Sequence, residues 1–195
     1  MRIIAGRFRS RVLLAPPGMS TRPTSDRLRE TLFNVLAPHI SGAAFLDLYA
    51  GSGAVGIEAL SRGASFVNFV ERAPAAVKVL RGNLERLGID SGFRIHAVGV
   101  GAYLRSNAGA SPKPERHEVL FMDPPWEAEQ EYAAILGLLG GSAAEMLAPD
   151  AIVIAEHRRK LPLDERYGNL RRARVLEQGD AALSFYVVEA TDAAD

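Results

Sequence analysis

Asp123-Pro124-Pro125-Trp126, which follows the apolar run EVLFM, has the residue types needed to methylate an exocyclic amine. The nitrogen of such an amine is a poor nucleophile because its lone pair is delocalised into the ring. The Asp123 carboxylate and the Pro124 carbonyl can accept hydrogen bonds from its two N–H groups and so localise the lone pair. The two prolines fix φ and carry no N–H, which sets the direction of the carbonyl in advance. Trp126 offers a face on which a flipped base can stack, worth about 1–3 kcal/mol. All four are candidate catalytic residues; a turn that merely ends a strand is the alternative.

A glycine-rich segment, DLYAGSGAVG at residues 47–56, follows a predicted strand and opens a predicted helix. Its spacing is compatible with NAD, FAD or S-adenosylmethionine, and also with a tight turn that binds no ligand. Glu71 ends the next strand, 71 − 51 = 20 residues after the first glycine, where a carboxylate can accept hydrogen bonds from a ribose diol. Asp47 lies inside an apolar strand, where a carboxylate is costly unless it is paired. It can hold the glycine loop through backbone amides or face the ammonium of S-adenosylmethionine. NAD has no such ammonium, so Asp47 favours methyl transfer.

From residue 42 onward the sequence alternates between apolar strands and amphipathic helices. The predicted strands are AFLDLYA, FVNFVE, FRIHAV, EVLFMD and AIVIAE, followed by the antiparallel pair RRARVLEQ and ALSFYVVEA. This alternation predicts an α/β fold with a doubly wound, mostly parallel seven-stranded sheet and a C-terminal antiparallel hairpin. Ligands bind at the carboxyl ends of such strands, so the chemistry should lie just after Tyr49, Val70, Val98 and Met122.

The N-terminal part of the chain is basic. Residues 1–29 hold seven arginines and one acid, Asp26, which gives 7 − 1 = +6 in a protein of net charge zero. The segments RIIAG and RVLLA predict a small β-hairpin, and Thr24 or Ser25 can cap a helix through DRLRETLFNVL. A basic segment of this kind suggests contact with a polyanion, and a solvated arginine-rich surface is the alternative.

Composition excludes several classes of protein. The 195-residue chain has no cysteine, which excludes disulfides and thiolate metal sites, and its four histidines lack metal-ligand spacing. No apolar run approaches the roughly 18 residues of a membrane span. We therefore predict a cytoplasmic protein that binds no metal. We also expect it to be a monomer.

The run RPTSDRLRETLFN at residues 22–34, with the start MRIIAG and both motifs, resembles the RsmD family of bacterial 16S rRNA methyltransferases, which modify N2 of guanine 966. The resemblance covers nearly the whole chain. It implies a Rossmann-like class I methyltransferase domain over residues 21–195 and a β-hairpin extension over residues 1–20. It implies S-adenosylmethionine as methyl donor, and 16S rRNA within an assembled or partly assembled small subunit as substrate.

The resemblance also implies roles for individual residues. The cofactor set would be Asp47, Gly51, Ser52 and Gly53 at the methionine end, Glu71 at the ribose, and Arg72 and Val100 beside them. The arginines expected at RNA phosphates are Arg2, Arg7, Arg9, Arg11, Arg22 and Arg27. Asp123 to Trp126 would hold the target amine and its base.

The sequence departs from this family in three places. Gly99 stands where an Asp or Asn commonly meets the adenine amine, Arg72-Ala73 follows Glu71, and Trp126 fills a position usually taken by Phe or Tyr. Three other functions remain open at this point: an adenine-N6 DNA or RNA methyltransferase, an NAD-dependent oxidoreductase, and a non-catalytic assembly factor that binds RNA. A second basic cluster either extends the RNA surface or is simply solvated; it comprises Arg158, Arg159, Lys160, Arg166, Arg171, Arg172 and Arg174.

Overall fold

The computed structural model describes residues 1–15 and 26–189, and the chain divides into two compact units after Val100. The domain boundary predicted at residue 20 lies outside the described residues and stays a prediction. So do the helix caps proposed for Thr24 and Ser25. No helix in the described ranges is long and apolar enough to cross a membrane.

In its described residues, the first unit contains three parallel strands in the order β3-β2-β1 and three helices. Its elements are α1 (Asp26–Ile40), β1 (Ala44–Leu48), α2 (Ala54–Ser61), β2 (Phe66–Val70), α3 (Pro74–Leu87) and β3 (Phe93–His96). Four of the five residues of β1 and of β2 are buried, which is typical of parallel strands that are covered on both faces.

The helices of this unit follow the signals in the sequence. α1 buries Leu28, Leu32 and Leu36 on one face, as the apolar spacing predicts, and continues four residues beyond Leu36 to Ile40. α3 begins with Pro74, whose missing N–H costs nothing in the first turn, and ends at Gly88, which has φ 68°. α1 contacts β1 through the rings of Phe33 and Phe45, and α3 buries Val77, Leu80 and Leu84.

Residues 1–15, the arm, fold back as a hairpin, but its strands are shorter than predicted. Their pairing is a single antiparallel bridge, Arg2 with Val12. The main chain between them turns to α2 instead: Ile4 N and Ala5 N donate to the Glu58 carboxylate at 2.8 and 3.0 Å, and Arg7 N donates to Ser61 O at 2.7 Å. These backbone donors thus bond to a helix and not to a second strand.

The second unit contains the remaining strands. Its elements are α4 (Val100–Asn107, which begins at the last residue of the first unit), β4 (His117–Met122), α5 (Gln130–Leu139), a 3-10 turn (Ala144–Met146), β5 (Leu147–Arg158), β6 (Arg166–Tyr167), β7 (Leu170–Gln178) and β8 (Ala181–Val188). β4 and β5 are parallel, and β5, β8, β7 and β6 follow one another in antiparallel pairs. The C-terminal hairpin is therefore β7 and β8. All seven predicted strands are present in the described residues, and the two-residue β6 adds one that the sequence did not indicate.

Candidate functional site

The glycine loop joins β1 to α2 through three residues with left-handed backbone. Tyr49, Gly51 and Gly53 have φ of 63°, 56° and 80°. Positive φ is uncommon for residues other than glycine, so Tyr49 holds a strained conformation directly after β1. Ala50 N donates to Val70 O at 3.1 Å, and Gly53 N donates to Ala50 O at 2.7 Å. The loop is thus a fixed turn at the carboxyl ends of β1 and β2.

Two glycines of the motif allow α2 to pack closely in the first unit. A Cβ atom on Gly53 would lie 2.2 Å from Leu80 Cδ1, and one on Gly56 would lie 2.3 Å from the ring of Phe69. Neither position accepts a side chain unless its neighbours move. Packing therefore explains these two glycines without a ligand, and the groups that can bind one are the polar groups around the loop.

Asp47 lies beneath this loop and is only 2% exposed. Its Oδ2 accepts a hydrogen bond from Gly56 N at 2.8 Å, which holds the first turn of α2. This hydrogen bond corresponds to the first role considered for Asp47, which is to hold the glycine loop through a backbone amide. Burial raises the pKa of the Asp47 carboxyl to about 7; the hydrogen bond from Gly56 opposes this shift and the charge of Glu71 adds to it.

This raised pKa predicts that acid stabilises the fold. The folded protein keeps a proton on Asp47 that the unfolded chain releases above its ordinary pKa of 3.8. The free energy of unfolding should therefore fall as the pH rises from about 4 to about 7, by roughly 4 kcal/mol at most, and then stay level. Urea denaturation of the wild type and of Asp47→Asn across this range measures the effect. Equal pH dependence in both proteins would contradict it.

Glu71 ties the end of β2 to the glycine loop. Its Oε2 accepts from Gly51 N at 2.9 Å and its Oε1 from Ala73 N at 2.7 Å. The half-buried carboxylate thus lies at the edge where the loop begins. Of the other residues predicted around the cofactor, Arg72 is exposed and Val100 is 4% exposed at the start of α4.

Asn83, on α3, connects the arm to the glycine loop, and the sequence analysis missed it. Its side chain is 1% exposed; Nδ2 donates to Leu14 O and to Ser52 O, each at 3.0 Å, and Oδ1 accepts from Leu14 N at 2.9 Å. Met1 Sδ also lies 3.9 Å from Ser52 Oγ. In the sequence, the one sign of this role is that Asn83 is a polar residue on the otherwise apolar face of α3.

Asp123 to Trp126 lie directly after β4 in the second unit. Asp123 and Trp126 are half-buried, Pro124 is buried and Pro125 is exposed. Pro125 O accepts from Ala128 N at 2.8 Å, which closes a turn before α5. The Pro125 carbonyl is thus engaged in this turn, and the role of the Pro124 carbonyl as acceptor for an amine stays a prediction.

The guanidinium of Arg158, at the end of β5, lies over Trp126, with Cζ 5.0 Å from the centroid of the ring. Tyr132 of α5 is packed beside the same strand end: its hydroxyl donates to Glu156 O at 2.9 Å, and its ring lies 6.2 Å from that of His157. The turn with Trp126 and the end of β5 therefore meet through side chains that the sequence did not connect.

The histidines have structural environments or lie on the surface. His157 is 4% exposed; its Nδ1 donates to Arg158 O and its Nε2 accepts from Ser184 Oγ, both at 2.9 Å. Burial lowers the pKa of His157, which favours the neutral ring. His96 Nε2 donates to Asn68 Oδ1 at 2.9 Å, and His39 is exposed. Across residues 1–15 and 26–189, no group of three or more His, Asp or Glu could hold a metal ion.

The predicted RNA-binding arginines divide by position. Arg2, Arg7, Arg9 and Arg11 of the arm and Arg27 of α1 are all exposed, and Arg22 lies outside the described residues. Arg29 contributes to the charge count of the basic segment, yet its side chain is fully buried, 3.0 Å from Asp26 and 3.8 Å from Glu58. In the second basic cluster, Arg166 and Arg171 both pair with Glu189.

The chain is similar in sequence to known methyltransferases over most of its length. The family described as "Conserved hypothetical protein 95" matches residues 1–187. Ribosomal RNA small subunit methyltransferase D of Haemophilus influenzae is 36% identical over 166 residues, 84% of this chain and 81% of that protein. The protein of the same name from Escherichia coli K12 is 42% identical over 128 residues, 65% of this chain and 60% of that protein.

A solved structure extends the likeness to the fold. The structure titled "Putative methyltransferase yhhF from Escherichia coli" superposes with a TM-score of 0.84 and 33% identity, over 98% of this chain and 99% of that one. The α/β architecture with its mostly parallel strands is thus a Rossmann-like methyltransferase fold, as predicted. The chain belongs to the RsmD family of methyltransferases.

Proposed function

We propose that this protein transfers a methyl group from S-adenosylmethionine to the N2 amine of guanine 966 in 16S rRNA of the small ribosomal subunit. The observation that carries the proposal is the half-buried Asp123, followed by two prolines and an aromatic ring, at the carboxyl end of β4. Family membership supports methyl transfer to rRNA, and the run at residues 22–34 supports the choice of guanine. We further propose that the protein acts as a monomer and that it acts in the cytoplasm.

The first unit fits S-adenosylmethionine in its donor and acceptor groups. Glu71 brings two carboxylate oxygens to the loop edge, and these match the two hydroxyl groups of a ribose. The N-terminus of a helix such as α2 favours an anion, which suits the carboxylate of the methionine moiety. Asp47 fixes the start of that helix from below. The bound cofactor supplies a methyl group that is made electrophilic by its sulfonium.

The second unit fits the acceptor. The Asp123 carboxylate and the Pro124 carbonyl accept hydrogen bonds from the amine, and the indole of Trp126 stacks on the base. Held in this way, the nitrogen would have a localised lone pair, and S-adenosylmethionine would supply the methyl group for the new N–C bond while its own S–C bond breaks. The nitrogen then loses one proton, to Asp123 or to water.

Mass-spectrometric mapping of 16S rRNA tests the proposal. Small-subunit particles from cells that lack this protein should gain one methyl group, on N2 of guanine 966, when they are incubated with the protein and S-adenosylmethionine. Methylation of adenine would support the adenine-N6 alternative. Binding of NADH without binding of S-adenosylhomocysteine would support the oxidoreductase, and cofactor binding without any methylation would support the assembly factor.

The arm provides a prediction about RNA binding. Reversing the charge of exposed Arg7 and Arg9 by Arg7→Glu and Arg9→Glu should weaken binding to small-subunit particles roughly 10- to 100-fold, because phosphate contacts are lost. The affinity for S-adenosylhomocysteine should not change. Filtration binding and calorimetry measure the two affinities.

The matched control reverses two exposed arginines on α3, Arg81→Glu and Arg86→Glu, which alters the net charge equally. If this control weakens RNA binding as strongly, the arm has no special role. If the arm variant loses cofactor affinity to the same extent, the substitutions have disturbed the fold.

A further inference from the structure

The contact between Arg158 and Trp126 joins the second basic cluster to the candidate substrate site. The guanidinium carbon lies 5.0 Å from the ring centroid, within the distance of a cation–π interaction. Trp126 is half-buried and Arg158 is exposed. One face of the indole is therefore covered by a cation, while the side chain that covers it remains in contact with solvent.

The main chain of Arg158 is held firmly, although its side chain is exposed. Arg158 is the last residue of β5 and pairs with Ala181 of β8. Its carbonyl oxygen accepts the hydrogen bond from His157 Nδ1 at 2.9 Å, and His157 is itself fixed by Ser184. A rigid strand end thus determines where the guanidinium reaches the indole.

By contrast, Trp126 itself lies in a turn. It follows β4 by four residues, in the turn that the hydrogen bond from Ala128 N to Pro125 O closes. An aromatic ring that must receive a base needs one fixed orientation, since a small misplacement of the base costs much of the rate. The contact with Arg158 supplies such a constraint from a neighbouring strand.

We propose that Arg158 is a positioning residue: it holds one face of Trp126, so that the opposite face forms the platform on which the target base stacks. This inference rests on the proposed function, since it assumes that a base is the substrate. Arg158 acts here through the indole and not through an RNA phosphate. Its planar guanidinium suits this role better than an ammonium would, so lysine should replace it only in part.

Substitution of Arg158 tests the contact itself through fluorescence. Trp126 is the only tryptophan of the chain, so emission excited at a wavelength that the five tyrosines do not absorb reports on this ring alone. Arg158→Ala should increase quenching by acrylamide and shift the emission to longer wavelength, and Arg158→Lys should give intermediate values. The matched control is Arg159→Ala, which removes the same charge from the adjacent exposed residue and should leave the emission unchanged.

Methylation of small-subunit particles tests the role. Arg158→Ala should lower kcat/KM by about three- to tenfold, the equivalent of one cation–π contact together with some loss of orientation, without altering S-adenosylhomocysteine binding. Arg159→Ala should retain nearly full activity. If both variants lose activity equally, Arg158 merely adds to the basic surface, and the inference is overturned.

A double-mutant cycle separates an action through Trp126 from a direct contact with RNA. In a Trp126→Leu background, Arg158→Ala should have little further effect, because the group through which it acts is gone. An undiminished effect would overturn the inference. If the wild type methylates no particle, the proposed function fails and this inference fails with it. If the wild type is active but Arg158→Ala behaves like Arg159→Ala, only the inference fails.

Discussion

Alanine at position 123 is expected to lower the rate constant of methyl transfer about 10²- to 10³-fold, the cost of removing one preorganised polar group from a transition state. The half-buried carboxylate of Asp123 lies in the turn after β4, between the buried Met122 and the buried Pro124. Without it, one N–H of the target amine has no acceptor and the lone pair remains delocalised. Affinity for S-adenosylhomocysteine should be unchanged, because Asp123 has no assigned role in holding the cofactor.

Single-turnover methylation of small-subunit particles measures this rate constant directly. Asp123→Asn should retain part of the activity, because its amide oxygen still accepts a hydrogen bond although the charge is lost. Glu127→Ala is the matched control: it removes an exposed acid from the same turn and should be nearly neutral. An unchanged rate in Asp123→Ala would mean that the amine is held by other groups.

Among the substitutions proposed for this protein, Glu58→Ala should cause the largest loss of stability, about 3–5 kcal/mol. Glu58 is fully buried and accepts from Ile4 N at 2.8 Å, from Ala5 N at 3.0 Å and from Arg62 Nε at 2.7 Å. Its Oε2 also lies 3.8 Å from Nε of the fully buried Arg29, an atom with no hydrogen-bond partner among the described residues. Removing this carboxylate leaves two backbone donors of the arm without their acceptor, and it leaves the buried Arg29 with the exposed Asp26 as its remaining carboxylate partner.

Urea denaturation measures this loss, which is a large part of the 5–15 kcal/mol that typically stabilises a protein of this kind. Glu58→Gln should cost less than Glu58→Ala, because its amide oxygen can still accept from the arm. Glu85→Ala, at an exposed position of α3, serves as the control and should change stability by no more than about 0.5 kcal/mol. If Glu58→Ala behaves like this control, the buried network contributes nothing to stability.

The regular elements and the two motifs could be predicted from the sequence because their signals are local. Short, mostly apolar runs mark β1, β2 and β4, and Pro74 and Gly88 mark the ends of α3. The glycine loop and Asp123 each follow the carboxyl end of a parallel strand, the position at which such strands usually carry ligand-binding residues. The spacing of residues predicts only the type of reaction, whereas the family resemblance also predicts which base is methylated.

The contacts that fix these parts could not be predicted, since they join residues that are distant in the chain. Asn83 bonds to Leu14, 69 positions away, and Arg158 reaches Trp126 from another strand. Arg29 illustrates the same limit for charge: it reads as one more surface arginine, but it is fully buried between Asp26 and Glu58. Pairing of buried polar groups depends on the completed fold, which local patterns do not specify.

The arm is attached to its unit mainly through its own main chain. Glu58, Ser61 and Asn83 bond to amides and carbonyls of the arm, and Gly6 is required because a Cβ atom there would lie 1.8 Å from Ser61 O. Such a joint is insensitive to which side chains the exposed positions carry. Evolution or protein engineering can therefore exchange the side chains at the exposed positions of the arm while its attachment to α2 and α3 stays the same.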